Sequence, residues 1–342
     1  MSPLLSTTDL LQFMTLIRDS RHVAICGHRG PDGDAMGSAL AWSAYLQGLG
    51  KQVSVVMPTP PPDFLRWLPG SKQVVIYQDN PTLTASIMAE ADLICCLDFN
   101  ALSRLQDLQH LVAASKAKRL IIDHHLNPDT EGISFLVSRP QMCSTCEVIF
   151  RLIHQLGGFD DMTPQTATCI YTGMMTDTGG FTYNSNDPEV YEIISLLLTK
   201  GIDKDRIYRQ VFHVFSIDRL RLQGFILSEK LQFFEKGRAS VFTLTREEMK
   251  RFRYVRGDLE GFVNLPLQVR GLSLSISLRE DTEKDVIRCS LRSVGSFPCN
   301  KMAEQFFHGG GHLNASGGEL PFPLEEALKT AERAIEAFRD LL

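Results

Sequence analysis

The sequence predicts an α/β protein of two domains, the first built on a parallel sheet flanked by helices and the second, smaller, on a mixed sheet. Three observations predict it. A chain of 342 residues is longer than one core of ordinary size organises. Its first half alternates short, wholly apolar runs with helical stretches, the pattern of βαβ units whose strands are covered on both faces. Its last third changes to strand pairs, among them Leu272–Arg279 (LSLSISLR), which alternates apolar and polar residues with a period of two.

Taken in order, Ser6 caps a helix to about Arg18, with Asp9 three residues on in a capping-box pattern. Strands are expected at His22–Cys26, Val53–Val56, Val74–Tyr77, Leu93–Leu97 and Leu120–Ile122, each short and apolar. Helices at Ala35–Leu49 (closed by Gly50), Thr82–Ala91 and Leu102–Lys116 fall between most of them. The proline-rich Met57–Gly70 reads as a surface loop. From about Ser144 to Leu231 the pattern is mostly helical, including Thr163–Met175, Pro188–Lys200 and Ile217–Leu227. Ala239–Leu244, Leu272–Arg279 and Val286–Arg292 are the strands of the second domain, followed by a helical Lys301–Phe307 and a closing helix Leu324–Leu341. The domains are therefore placed at 1–205 and 231–342, with 206–230 a helical linker.

Composition narrows the function. No run of about 18 apolar residues exists, so no segment is expected to span a membrane. The N-terminal stretch reads as a capped helix and not a signal peptide. Eight cysteines, several inside apolar runs, form no secreted disulfide framework and suit a reducing cytoplasm. Residues 1–199 carry 12 Lys+Arg against 20 Asp+Glu, a net of −8, and residues 200–342 carry 23 against 20, a net of +3. Binding to long nucleic acid normally calls for a basic domain, so it is not expected. An acidic half and a mildly basic half suit a metal site in one and an anion grip in the other.

Four acidic or histidine-rich spots carry the chemistry. His28-Arg29-Gly30-Pro31-Asp32-Gly33-Asp34 follows the first strand, Asp98 follows LICCL, and Asp123-His124-His125 follows RLII. Asp177 ends the helix that starts near Thr163. Alone, each has a plain explanation, since an Asp after a strand is usually a helix cap or turn former. Together they deliver carboxylates and imidazoles to the crevice beyond the strand ends, where open parallel sheets bind ligands. So many acids cannot stay charged side by side unless cations neutralise them. Mixed Asp/His ligation suits Mn²⁺ or a comparable divalent ion.

HRGPDGDAMGS, the aspartate of CLDFN, IIDHH and TDTGGF resemble, in that order, the four motifs of the DHH phosphoesterase superfamily. GGGHLNASGG near the C-terminus resembles the signature of its DHHA1 companion domain. The resemblance covers nearly the whole chain and is nearest to the stand-alone oligoribonuclease (nanoRNase)/pAp phosphatase type. Gly30 departs from the pattern, in a position that is not a ligand. The resemblance implies two Mn²⁺ ions about 3.5–4 Å apart. His28 and Asp32 would hold the first, Asp34, His124 and Asp177 the second, and Asp98 would bridge them. Asp123 would orient the histidines that follow it, and His125 would face the scissile phosphate. The reaction implied is phosphoester hydrolysis by in-line attack, without a covalent intermediate, in a cleft between the two domains.

Substrate grip is expected from the DHHA1 domain. The glycines of Gly309-Gly310-Gly311-His312 let backbone amides approach a phosphate, and Asn314 follows closely. The alternative for the glycines is a plain helix stop. Arg279 and Arg292 end neighbouring strands and are candidates for a bidentate phosphate clamp. Cys143-Ser144-Thr145-Cys146 supplies only half a zinc site and is read as structural. No GxGxxG or GxxxxGK[ST] is present to support a dinucleotide or P-loop site.

The leading reading is a Mn²⁺-dependent hydrolase of very short oligoribonucleotides, releasing 5′-mononucleotides, with 3′-phosphoadenosine 5′-phosphate (pAp) as a further substrate. Cleavage of cyclic di-AMP or its linear product pApA is the alternative within the superfamily. A non-catalytic nucleotide sensor is the alternative of another class, and the intact ligand set argues against it. A homodimer is suggested by the resemblance alone.

Overall fold

The computed structural model describes residues 1–255 and 257–342, in two compact units, Met1–Val214 and Phe215–Leu342. The first unit is built on six parallel strands: β1 (His22–Cys26), β2 (Gln52–Met57), β3 (Val75–Ile76), β4 (Leu93–Leu97), β5 (Lys118–Asp123) and β6 (Phe135–Ser138). Their order across the sheet is β3-β2-β1-β4-β5-β6. Alternate residues leave a strand on opposite faces, and both faces are covered. Val23 and Ile25 enter a large core with Phe13 and Trp42, while Ala24 and Cys26 enter a smaller one with Met88, Leu108 and Val112. That is why these strands read as unbroken apolar runs.

The helices of this unit are α1 (Thr7–Asp19), α2 (Gly33–Gly48), α3 (Pro81–Glu90), α4 (Leu108–Ala114), α5 (Thr145–Gln155), α6 (Pro164–Asp177), α7 (Pro188–Thr199) and α8 (Lys204–Phe212). Two expectations change. The single helix over Leu102–Lys116 is broken into a tight turn, Leu102–Leu105, and α4. Gln106 between them has a left-handed backbone (φ 52°), which no continuous helix accommodates. Strand β6 was missed because a four-residue edge strand carries little periodicity.

The second unit holds α9 (Ile217–Phe225), β7 (Leu231–Phe234), β8 (Ala239–Leu244), α10 (Arg246–Arg251), β9 (Leu274–Glu280), β10 (Val286–Ser293), α11 (Cys299–Phe306), β11 (Gly310–His312), β12 (Ala315–Pro321) and α12 (Leu324–Ala337). Its sheet runs β11-β12-β10-β9-β8-β7, with β8 and β9 parallel and the other pairs antiparallel. Leu274, Ile276 and Leu278 of β9 pack with Met302, Ala331 and Ile335 of α11 and α12. Phe297 and Phe307 lie in the same core, with Phe306 packed against it.

Candidate metal centre

The sheet order reverses at β1: the chain goes to β2 on one side and returns to β4 on the other. A crevice opens beyond the strand ends at such a point, and here His28 follows β1, Asp98 follows β4, and Asp123 and His124 end or follow β5. Asp98 turns out of its strand with a left-handed backbone, φ 64°. Non-glycine residues seldom adopt that region, though Asp tolerates it better than most.

Helix α2 starts at Gly33, not Ala35, because Asp32 caps it. Asp32 Oδ1 accepts from the backbone of Asp34 (3.0 Å) and Ala35 (3.1 Å). Its Oδ2 stands 3.7 Å from His28 Nε2. The plain role and the ligand role therefore coexist, one on each oxygen. His28 Nδ1 lies 2.9 Å from the Arg29 carbonyl oxygen, which sets the ring with Nε2 toward the carboxylates.

Helix α6 brings Asp177 in by packing very closely on α2. A Cβ on Gly37 would sit 2.5 Å from the Cys169 carbonyl oxygen, and one on Gly33 2.2 Å from Thr176 Oγ1. The first turn of α5 completes this packing: a Cβ on Gly173 would meet Cys146 Sγ at 2.2 Å and Asp34 Oδ1 at 2.9 Å. Asp34, 1% exposed, accepts from Thr145 N at 2.6 Å and Cys146 N at 2.8 Å. Thr145 Oγ1 donates to Asp98 Oδ1 at 3.0 Å. These two residues lie in the segment read from sequence as merely structural. The signal that could have found them is Ser144-Thr145-Cys146-Glu147, a capping-box pattern announcing a helix N-terminus, which favours anions.

Donor atoms gather in three overlapping trios: His28, Asp32 and Asp98; Asp34, His124 and Asp177; Asp98, His124 and His125. His124 Nε2 lies 3.5 Å from Asp177 Oδ2, 3.7 Å from Asp98 Oδ1 and 3.9 Å from Asp34 Oδ2. Such gaps are long for hydrogen bonds. They are the separations expected of ligands sharing one ion at about 2.0–2.2 Å each. Asp123 is fully buried and its Oδ1 accepts from His125 Nδ1 at 2.7 Å, while Oδ2 has no partner among the described residues.

The electrostatics show the same shortage of positive charge. Burial, then repulsion from Asp98 and Asp177, pushes the Asp34 pKa well up. Burial, then Asp32 and Asp98, does so for Asp177. Burial works against a charged His28, yet the neighbouring carboxylates of Asp32 and Asp98 outweigh that and hold its pKa well above the ordinary value. The donor set, carboxylate and imidazole with no thiolate, fits hard or borderline divalent ions.

The substrate residues expected in the second unit are placed differently from one another. Because β9 and β10 are antiparallel, Arg279 lies opposite Arg288, and Arg292 lies opposite Ser275. Four residues of strand, about 13 Å, separate the two arginine positions along one face of the hairpin. Gly310–His312 is not an open loop but an edge strand paired with β12. A Cβ on Gly309 would strike the Gly317 carbonyl oxygen at 1.8 Å, and one on Gly311 the Ala315 carbonyl oxygen at 2.6 Å, whereas Gly310 faces open space. Asn314 Nδ2 donates to Ser293 Oγ (2.8 Å) and the Gly295 carbonyl (3.0 Å), bonds that brace a turn.

Residues 22–174 match the family described as "DHH family, N-terminal domain". Over 94% of its length the chain is 30% identical to the bifunctional oligoribonuclease and PAP phosphatase NrnA of Thermus thermophilus, covering 90% of that protein. It is 26% identical to the cyclic-di-AMP phosphodiesterase PdeA of Listeria monocytogenes, of which it covers 48%. A crystal structure of an exopolyphosphatase-related protein from Bacteroides fragilis is similar over 100% of this chain and 99% of that one, with 47% identity and a TM-score of 0.95.

Proposed function

Because this chain belongs to the DHH/DHHA1 phosphoesterase family and is a hydrolase of phosphoester bonds, we propose that it cleaves very short oligoribonucleotides to 5′-mononucleotides and also takes pAp. The observation that carries this reading is the meeting of the trios His28/Asp32/Asp98 and Asp34/His124/Asp177 at one end of the sheet. We assign the first trio to one ion and the second to another, with Asp98 reaching both. Imidazole among the ligands favours Mn²⁺ over Mg²⁺, which prefers oxygen and dehydrates reluctantly. When bound, two such ions neutralise phosphoryl oxygens and acidify a water.

The chain's own side chains set the rest. A carboxylate can only accept, so Nδ1 of His125 carries the proton shared with Asp123. Burial disfavours a charged His125, but Asp123 and Asp98 outweigh it and raise its pKa. A cationic His125 would donate to a phosphoryl oxygen as its charge grows, which is the role assigned to it. In the second unit, Gly310, Gly311 and His312 on the edge strand, with Arg292 and Arg279, are the proposed substrate holders, and Asn314 supports them by bracing the turn beside that strand. An edge strand presents backbone donors to whatever approaches it. All eight cysteines are free and buried, which supports a reducing cytoplasmic setting, and no helix among the described residues is long and apolar enough to cross a membrane.

The likeness to PdeA supports a second reading, hydrolysis of cyclic di-AMP or pApA. One assay separates the readings: product formation with Mn²⁺ from pApA, pAp, cyclic di-AMP, pyrophosphate and a 24-mer RNA in parallel. Turnover of pAp is the deciding expectation, since pApA is a substrate under either reading. Turnover of cyclic di-AMP alone would transfer the assignment to the second reading, and binding without turnover of any would leave a nucleotide sensor.

A further inference from the structure

The first turn of α5 touches two of the carboxylates assigned above, from two different elements. Thr145 is fully buried. Its amide donates to Asp34 Oδ2, on α2, at 2.6 Å, and its hydroxyl donates to Asp98 Oδ1, beyond β4, at 3.0 Å. The hydroxyl is nearer to Asp98 than the imidazole nitrogens of His28, His124 and His125, at 3.6, 3.7 and 3.8 Å. An ionised carboxylate has no proton to return, so the hydroxyl must be the donor, and its direction is fixed.

Asp98 needs such a fixture. Its left-handed backbone (φ 64°) is a conformation that surroundings have to hold. Its carboxylate is the one shared by the trios around His28 and around His124 and His125, so a rotation that suits one group spoils the other. We propose that Thr145 is a positioning residue of the metal centre: its hydroxyl holds the Asp98 carboxylate in the orientation that serves both ions, while its amide and that of Cys146 hold Asp34. The closeness of α2, α5 and α6 at Gly37 and Gly173 leaves Asp34 little room to turn instead. This rests on the two-ion reading given above.

The test is Mn²⁺ binding to the full, metal-stripped chain, followed by calorimetry and by the electron spin resonance of free Mn²⁺. Thr145→Val keeps shape and removes the hydroxyl, and should weaken binding about 10–100-fold, the usual cost of losing a partner behind a ligand. Thr145→Ser keeps the hydroxyl and should bind close to the parent. At saturating Mn²⁺ the valine variant should keep the parent KM, since Thr145 is not assigned to substrate. Parent-like Mn²⁺ affinity in Thr145→Val, or equal losses in the valine and serine variants, would overturn the proposal, the latter because it would make volume the cause. Should Thr145→Val fail to fold, Thr145→Ala against Thr145→Ser makes the same comparison. Asp98→Asn run alongside separates the two levels: if it also binds like the parent, the two-ion reading fails, whereas if it alone loses Mn²⁺, only the role of Thr145 does.

Discussion

Asp32 divides its two oxygens between a helix cap and His28, whereas Asp98 gives neither oxygen to a cap. Side chains that look alike in sequence therefore carry different burdens. Asp98 lies near histidines from both sides, while Asp123, among the described residues, bonds the histidine two residues on. Asp98→Asn should abolish turnover at any Mn²⁺ concentration. Asp123→Asn should retain activity reduced by about 10–100-fold, because it removes a partner of His125 and not a ligand. Steady-state rates of both variants across a Mn²⁺ titration check this, and a normal rate in Asp98→Asn would refute the ligand assignment. Legibility at this scale was uneven. The ligand-type residues were readable because carboxylates and imidazoles are unusual at the ends of apolar strands. Thr145 was not, because nothing in a threonine's neighbours in sequence tells which distant carboxylate it will meet.

At the scale of elements, three helices meet where glycine is the only residue that fits. Gly173→Ala pushes a methyl group into Cys146 Sγ and Asp34 Oδ1, both already fixed. Overpacking of this kind typically costs about 1–3 kcal/mol, and here it should also weaken Mn²⁺ binding by displacing Asp34. Gly224, inside α9, has nothing within 4 Å of a built Cβ, so Gly224→Ala should be neutral or stabilising by up to about 1 kcal/mol. Urea unfolding with and without Mn²⁺ distinguishes the two variants. The turn from β9 to β10 offers a second case. Asp281 accepts from Glu283 N, Lys284 N and Arg288 Nε at 2.8, 2.9 and 2.6 Å. Burial alone would raise its pKa, but Arg288 and those amides win and bring it down to about 2. A pKa below the unfolded value contributes stability at neutral pH that is lost as pH falls from about 4 toward 2. Asp281→Asn should therefore cost roughly 1–2 kcal/mol at pH 7, discounted for partial exposure. The difference from the parent should shrink below pH 4 in urea unfolding series, and a gap constant with pH would show that the charge is not the cause.

For the whole molecule, charge sets the expected substrate length. The first 199 residues are net −8 before any cation binds, and the remainder is only +3. Neither segment has the excess of basic residues that would draw in the additional phosphates of a long strand, so affinity should not climb with length as it does for electrostatically driven binders. The expectation is that kcat/KM is highest for two to about four nucleotides, with weak salt dependence, and falls toward a 24-mer. His312→Ala should raise KM and flatten that preference while leaving Mn²⁺ binding unchanged. A rate that holds or climbs with length would point to a nucleic-acid track. What the sequence by itself determined was the alternation of apolar strands and helices, and with it the strand ends at which His28, Asp98, Asp123 and His124 had to emerge. Burial on both faces leaves an unmistakable local pattern. Only the tertiary structure decided that α5 points its first turn at Asp34 and Asp98. It also decided that Gly309 and Gly311 serve a close strand pair, and that Arg279 and Arg292 lie at opposite ends of a hairpin. Strand direction and helix approach are settled by which distant surfaces fit together, and a run of neighbours along the chain carries no record of that fit.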